Sequence, residues 1–343
     1  MASANKSLPD LFNPLGLNPL VSAGGWAAFS MGAAYAGICV TLYCVQRKLM
    51  FRPLPALLRT PAELGLPYED VWIPAQDGGK LHGWWLPNPS GVQAGEQTSK
   101  QTKVLLFCHG NYGNISYNTE RLRFLHRLGF SILAFDYRGY GQSVSADNAS
   151  GSEKPASEKT QPRPTEVPPP TEQSVYADAE AAWHYLTQQR GIEPNQITTL
   201  GHSMGGAIAI YLATRPFAKD MARLIVTSSF TTMEDVVRAK PIYALFPIRQ
   251  LLTEQFDSLS RVADLPMPVL YVHGDQDFDV PMPMSKRLYE ASPERKQIWI
   301  APGADHNNIC LELSDRYQEV IQAFCNTYPT PSESETVRVS TAA

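Results

Sequence analysis

Ser203 stands in "GHSMGG" (Gly201 to Gly206), where the β-forming run "QITTLG" gives way to the helix-forming run "MGGAIAI". Further along come three acids in "GDQDFDVP" (Asp275, Asp277, Asp279) and then a histidine, His306, in "GADHNNI". A serine hydroxyl at its normal pKa is a poor nucleophile. A base must take its proton, and a carboxylate must hold that base in the right tautomer and stabilise the imidazolium. Ser203, His306 and Asp277 are the candidates for these roles, in the chain order serine, acid, histidine. The charge that develops on a tetrahedral intermediate needs N–H donors. The backbone amides of Met204 and of Asn111 in "HGNYGN", with Tyr112 as a further candidate, are placed to supply them. Among the acids, Asp275 follows Gly274 directly and is expected to cap its own turn. Asp279, beside Val280-Pro281, is expected to cap the next helix. Asp277 is left.

These residues can meet only if strand ends bring them together, since ligands of open α/β sheets bind at the carboxyl ends of the strands. Short apolar strand runs begin at Lys103, Ser131, Gln196, Arg223, Pro268 and Lys296. Helices are expected between them at Asn118 to Leu128, Val175 to Gln189, Met204 to Thr214, Pro283 to Ala291 and Ser314 to Tyr328. That alternation implies an α/β fold with a mainly parallel sheet covered by helices on both faces. Ahead of it, "YEDVWIP" and "KLHGWWLP" flank Asp77-Gly78-Gly79 and read as a hairpin, with Trp84 in the core and Trp85 on the surface. Gly201 and Gly205 are explained by a tight turn at Ser203, and Gly206 by close packing of the following helix. His109 and His273 are expected to position loops, and Asp136 and Arg138 to form a buried polar network under the site. Asp305 adjoins His306 and is too close in sequence to reach the ring nitrogen that faces away from Ser203.

The chain has 343 residues, a net charge of −4 and no basic cluster longer than "QRK" at Gln46 to Lys48. A nucleic-acid partner is excluded on that ground. None of the five cysteines lies in a C-x-x-C pair or near a histidine cluster, so neither a metal nor another cofactor is expected. Cys108 in "VLLFC" reads as a small core residue. No charge occurs between Asp10 and Arg47, and residues 24–45 are long enough for a helix to cross ~30 Å of hydrocarbon. A signal peptide cleaved after "AYA" (Ala34 to Ala36) would leave a mature chain starting with "GICVTLYCV", and Ile38 before Cys39 excludes a lipoprotein site. Residues 1–23 then form an N-terminal tail, 24–45 a single transmembrane span, 46–328 a globular domain and 329–343 a flexible tail. Within the domain, 144–170 is rich in Ser, Pro, Glu and Lys and reads as a disordered insert. Residues 230–264 read as a small cap of one or two helices. Arg47, Lys48 and Arg52 follow the span, against Lys6 before it, which points to a cytoplasmic domain.

Taken together, "HGNYGN", "DYRGYGQS", "GHSMGG", "HGDQDFDVP", "GADHNNI" and "VQRKLMFRP" after the span resemble the membrane-anchored α/β-hydrolase-domain proteins of bacteria, fungi and animals. The resemblance runs from Val45 to about Tyr328. It implies the α/β-hydrolase fold and a serine hydrolase of ester or thioester type; some animal relatives remove acyl groups from proteins. By position, the family's nucleophile falls on Ser203, its acid on Asp277, its base on His306 and its oxyanion turn on His109 to Asn111. The insert is a departure, because relatives run from "GYGQS" almost directly into the stretch found here after Pro170. The expectation is a membrane-tethered enzyme acting on a small-molecule or lipid-like acyl ester through an acyl-enzyme. The alternatives are a serine peptidase or amidase using the same triad, and an interaction protein that kept the fold without the chemistry. The last is disfavoured because all three catalytic positions are filled. Dehalogenase and epoxide-hydrolase chemistry is disfavoured, since those relatives need a carboxylate where Ser203 stands.

Loop-closure entropy varies slowly with length, so removing residues 146–167 is expected to leave activity within about twofold of the parent. Thermal unfolding and ester turnover of the deletion variant check this; a large drop in either would mean that the segment packs.

Overall fold

The buried strands are apolar on alternate positions to both sides, which is what a sheet covered on both faces requires. In β4, for example, Val104, Leu106 and Cys108 join one core cluster while Leu105 and Phe107 join the other. The structure, a computed structural model, describes residues 19–88, 103–144 and 169–330. The first 18 residues, nearly all of the insert expected at 144–170, and 331–343 lie outside the described residues.

In chain order the first half forms α1 (Pro19–Met50), β1 (Arg52–Pro53), β2 (Glu69–Pro74), β3 (Lys80–Leu86), β4 (Lys103–Cys108), β5 (Tyr112–Gly113), α2 (Thr119–Arg127) and β6 (Phe130–Phe135). There follow α3 (Glu172–His184), β7 (Ile197–His202), α4 (Met204–Ala213), β8 (Arg223–Thr227), α5 (Met233–Arg238), α6 (Ile248–Leu251) and α7 (Ser258–Arg261). The last elements are β9 (Val269–Gly274), α8 (Pro283–Ala291), β10 (Lys296–Ala301), α9 (Ile309–Glu312) and α10 (Ser314–Thr327).

Eight strands make one sheet in the order β10-β9-β8-β7-β4-β6-β3-β2. From β10 to β6 every neighbouring pair is parallel, and the β2–β3 hairpin is added antiparallel beside β6. The chain direction across the sheet reverses between β4 and β7, so the ends of these two neighbours open a crevice. Helices α3, α4 and α8 cover one face, and α2 and α10 the other.

Two local expectations are corrected. Trp85 is buried, not on the surface, because β3 is an inner strand and the Arg190 guanidinium lies 4.8 Å over its ring. The region 230–264 holds three short α-helices and intervening 3₁₀ turns rather than one or two helices. Pro241 and Pro247 interrupt it, as a residue without an N–H and with a fixed φ does.

Helix α1 also runs on past Val45 through "QRKLM" to Met50, because those residues are good helix formers and no Gly or Pro intervenes. Gly25–Met50 is long and apolar enough to cross a membrane. Its large side chains Trp26, Phe29, Met31 and Val40 are more than half exposed.

Candidate active site

Ser203 sits at the first residue after β7, with φ 56° and ψ −122°. Such a conformation costs a non-glycine residue on the order of 1–3 kcal/mol, and surrounding structure must hold it. Three hydrogen bonds do so here. The Ser203 amide donates to the Thr227 carbonyl at 2.9 Å, and its carbonyl accepts from the Gly206 amide and the Ser229 hydroxyl, both at 2.9 Å. The turn also needs backbone to pass where side chains would stand. A Cβ on Gly201 would meet the Gly205 oxygen at 2.2 Å, and one on Gly205 the Cys108 oxygen at 2.1 Å. A Cβ on Gly206 would meet the Ser229 side chain at 2.5 Å.

The structure brings Ser203, His306 and Asp277 into one hydrogen-bonded line. The Ser203 hydroxyl lies 2.9 Å from His306 Nε2, and His306 Nδ1 lies 2.6 Å from Asp277 Oδ2. In the tautomer this arrangement selects, Nδ1–H donates to the carboxylate and Nε2 accepts from the serine. Asp277 fixes its own loop with its other oxygen, which accepts from the Asp279 and Val280 amides at 3.0 and 2.8 Å. Turn capping, expected of Asp275, is thus done by Asp277. Asp275 instead accepts from the Gly303 amide at 2.7 Å and ties the acid's loop to the loop that carries His306. Asp279 does not cap α8, whose N-cap is Met282; it faces the cavity described below. Asp305 accepts from the Asn307 and Asn308 amides and shapes the His306 turn from below.

Two histidines back this line. His273, buried at the end of β9, places Nε2 2.9 Å from the Val280 carbonyl and 3.1 Å from Asp277 Oδ2, and its Nδ1 accepts from the Ser285 hydroxyl at 2.6 Å. Burial alone would raise the Asp277 carboxyl. The hydrogen bonds from His273 and His306, the charge His306 can carry and the Val280 amide outweigh burial and hold it well below its ordinary value. His202 was not singled out in the sequence, although it directly precedes the serine. Its ring lies 5.1 Å from that of His306, and Nε2–H donates to the Asn307 side-chain oxygen at 3.2 Å. Burial first, then nearby Arg121 and His306, push its pKa well below the ordinary value, so the ring is neutral.

The turn His109 to Asn111 lies against the serine, and a Cβ on Gly110 would touch Ser203 Cβ at 3.5 Å. Neither the Asn111 nor the Met204 amide donates to an acceptor among the described residues. The turn is clamped from two directions. The hydroxyls of Tyr137 and Tyr140, from "DYRGY", donate to the carbonyls of His109 and Asn111 at 3.1 and 2.9 Å. Burial pushes both phenols up, so both stay protonated donors. From the other side, the Asn111 side chain donates to the Met50 carbonyl at 2.8 Å and the Arg52 amide to the Asn111 carbonyl at 2.9 Å. Asp136 and Arg138 serve separate networks. Asp136 accepts from the Ile115 amide and faces His109, whereas Arg138 pairs with Asp178 on α3 and with Asp77 in the hairpin turn.

Residues 103–247 match the model of the α/β-hydrolase fold family. The protein Rv2307c of Mycobacterium tuberculosis is 32% identical over 273 residues, covering 80% of this chain and 84% of that one. The α/β-hydrolase domain-containing protein WAV2 of Arabidopsis thaliana is 27% identical over 327 residues, covering 89% and 94%. The chain belongs to the α/β-hydrolase family. Protein bem46 of Schizosaccharomyces pombe is 26% identical to it over 278 residues, covering 80% and 82%. Among solved structures, the Pyrococcus furiosus esterase Pf2001 shares the fold of this α/β-hydrolase with a TM-score of 0.61 and 19% identity, over 81% of this chain and 98% of that one.

In this α/β-hydrolase, Ser203 and His306 open into a cavity of about 900 Å³. Its walls come from the turn at Gly110 and Asn111, from Met233, Val237 and Ile248 of the cap, and from Leu42, Gln46 and Leu49 of α1. The last group is unexpected from sequence, because nothing in a hydropathy pattern says that a long apolar helix will line a pocket. Among the described residues no group of three or more His, Cys, Asp or Glu is arranged to hold a metal ion.

Because the Asp277 carboxyl is depressed in the fold, the unfolded chain takes up that proton first as pH falls. The stability it contributes is present above the ordinary value of 3.8 and is lost below it. Unfolding temperature measured from about pH 5 to about pH 2.5 is therefore expected to fall less steeply in Asp277→Asn than in the parent. Equal slopes would contradict the hydrogen bonding described.

Proposed function

We propose that this protein is a membrane-anchored serine hydrolase that cleaves a carboxylic ester or thioester through an acyl-enzyme on Ser203. The observation that carries the proposal is the 2.9 Å and 2.6 Å relay from the Ser203 hydroxyl through His306 to a buried carboxylate. Three features support it: a strained nucleophile turn, unpaired amides beside it and a largely apolar cavity.

In the proposed cycle His306 Nε2 takes the hydroxyl proton as Ser203 Oγ attacks the acyl carbon. The carbonyl π electrons move to oxygen, where the amides of Met204 and Asn111 stabilise the negative charge. The intermediate collapses, the bond to the alcohol or thiol breaks, and His306 gives its proton to the leaving group. Water then enters, loses a proton to His306 and attacks the acyl-enzyme, releasing the carboxylic acid and restoring the Ser203 hydroxyl. Asp277 keeps Nδ1 protonated throughout and stabilises the imidazolium in both halves. Helix α1 serves as the anchor, with Arg47 and Lys48 at its cytoplasmic end.

Ser203→Ala is expected to abolish covalent labelling by a fluorophosphonate and to reduce ester turnover to the residue that binding and the oxyanion donors supply. Turnover of p-nitrophenyl esters, acyl-thioesters and aminoacyl amides by the parent assigns the bond class, and persistent labelling of the variant would overturn the nucleophile.

The acid is tested by ranking. Asp277→Asn favours the wrong histidine tautomer and is expected to lower kcat on the order of 10⁴-fold, with Asp275→Asn and Asp279→Asn within roughly tenfold of the parent. The reverse ranking would move the relay to another carboxylate.

A further inference from the structure

Between Lys240 and Arg249 the cap carries eight uncharged residues, "PIYALFPI", Pro241 to Ile248. Ile242 and Leu245 leave 69% and 74% of their surface exposed, an expensive arrangement in water for two large aliphatic side chains. The segment is seated on α1. Phe246 stacks on Tyr35 with ring centroids 5.8 Å apart and planes 4° from parallel, and the Tyr35 hydroxyl donates to the Leu245 carbonyl at 2.9 Å.

That contact fixes how far the cap reaches along the span. Tyr35 lies twelve residues before Arg47, the first cation after the apolar run, which is about 18 Å along a helix axis. At the base of the same face Arg47 pairs with the buried Glu254 at 2.7 Å, and Gln46 donates to the Leu251 carbonyl and accepts from the Thr253 amide. The cap therefore runs alongside α1 from the level of Arg47 well past it, toward the middle of a ~30 Å hydrocarbon layer. Its backbone suits such a place. Pro241 and Pro247 have no N–H to satisfy, and the amides of Tyr243, Phe246, Ile248 and Leu251 donate within the segment or just before it. Lys240 and Arg249 flank the apolar stretch as interfacial cations do.

The cavity follows the same wall. Leu42 lines it and stands five residues before Arg47, about 7 Å further into the apolar run. One side of the passage to Ser203 is therefore the span itself, and the opposite side includes Tyr243 and Ile248 of the cap. We propose that Pro241 to Ile248 sits in the leaflet that α1 enters, and that the cavity takes a long-chain acyl ester directly from that leaflet. This rests on the serine-hydrolase and membrane-anchor reading above. An acyl chain would pass between α1 and the cap without crossing water, so none of its CH₂ groups would be exposed on the way.

The test uses the full chain in phosphatidylcholine vesicles. Ile242→Asp with Leu245→Asp places two carboxylates where hydrocarbon is expected. It should lower turnover of p-nitrophenyl palmitate carried in the vesicles at least about tenfold, given the cost of inserting charge. Turnover of water-soluble p-nitrophenyl acetate should stay within about twofold, since neither residue lines the cavity. Unchanged palmitate turnover overturns the proposal. If the aspartate pair does not fold, as a loss of fluorophosphonate labelling would show, Ile242→Asn with Leu245→Asn carries the same comparison. Failure of the underlying reading looks different and also overturns the proposal: the parent itself would fail to hydrolyse the acetate ester, or alkaline carbonate would release it from the vesicles.

Discussion

A serine side chain can be aimed at a histidine from the tip of a strand only if the chain doubles back within two residues, and that reversal leaves no volume for a Cβ on either side. The Gly205 position, 2.1 Å from the Cys108 oxygen when a Cβ is added, makes this concrete: β7, the start of α4 and the end of β4 occupy one another's space. The same crowding gives the site its layout. Because the end of β4 is pressed against the start of α4, the turn at Gly110 cannot lie anywhere but beside Ser203. The amides of Asn111 and Met204 then stand beside Ser203 with no acceptor among the described residues. Strain at Ser203 is held by Thr227 at the end of β8 and by Ser229 just beyond it, so the turn depends on neighbouring strand ends as well as on "GHSMGG" itself.

The second dependency runs outward from the sheet. The donor turn is held by two tyrosine hydroxyls on the inside and by the residues just after α1 on the outside. The short parallel pairing of β1 with β5 joins Arg52 to Tyr112, and Asn111 reaches the Met50 carbonyl. "VQRKLMFRP" is thus more than the juxtamembrane cation cluster its composition suggests. It is the segment through which the end of α1 supports the turn beside Ser203, and it fixes the distance between Ser203 and that helix.

Where residues act on near neighbours, the sequence could be read directly. Strand and helix positions followed from periodicity, and the places to look for polar groups followed from where ligands of open α/β sheets bind. What could not be read were partners set by tertiary contact. Asp275 looked like a turn cap because its local sequence is turn-like, yet its carboxylate is taken by the Gly303 amide, 28 residues on. Asp279 looked like a helix cap, but Met282 occupies that place and Pro283 starts the helix. Trp85 follows the alternation of a hairpin with one wet face; the Arg190 guanidinium that covers it comes from the end of a helix more than a hundred residues away. His202 gave a signal, its adjacency to Ser203, but no periodicity argument assigns a role to its ring.

The cap shows how the two dependencies combine. It begins after β8, so its root is set by the strand whose Thr227 carbonyl supports Ser203, and Lys240 ties it to the acid's loop through the Phe278 carbonyl at 2.7 Å. Its far end is set by Tyr35 and Gln46 of α1. A cap fixed at both ends cannot choose its height above the site independently of α1. A shift of α1 along its axis would pull on Leu245 and Leu251 at one end and on Asn111 through Met50 at the other. Cavity shape and the position of the Asn111 turn are therefore coupled to the position of α1 along its axis, through contacts that involve no flexible linker. The helix that reads as an anchor is thus one wall of the chamber in which Ser203 stands.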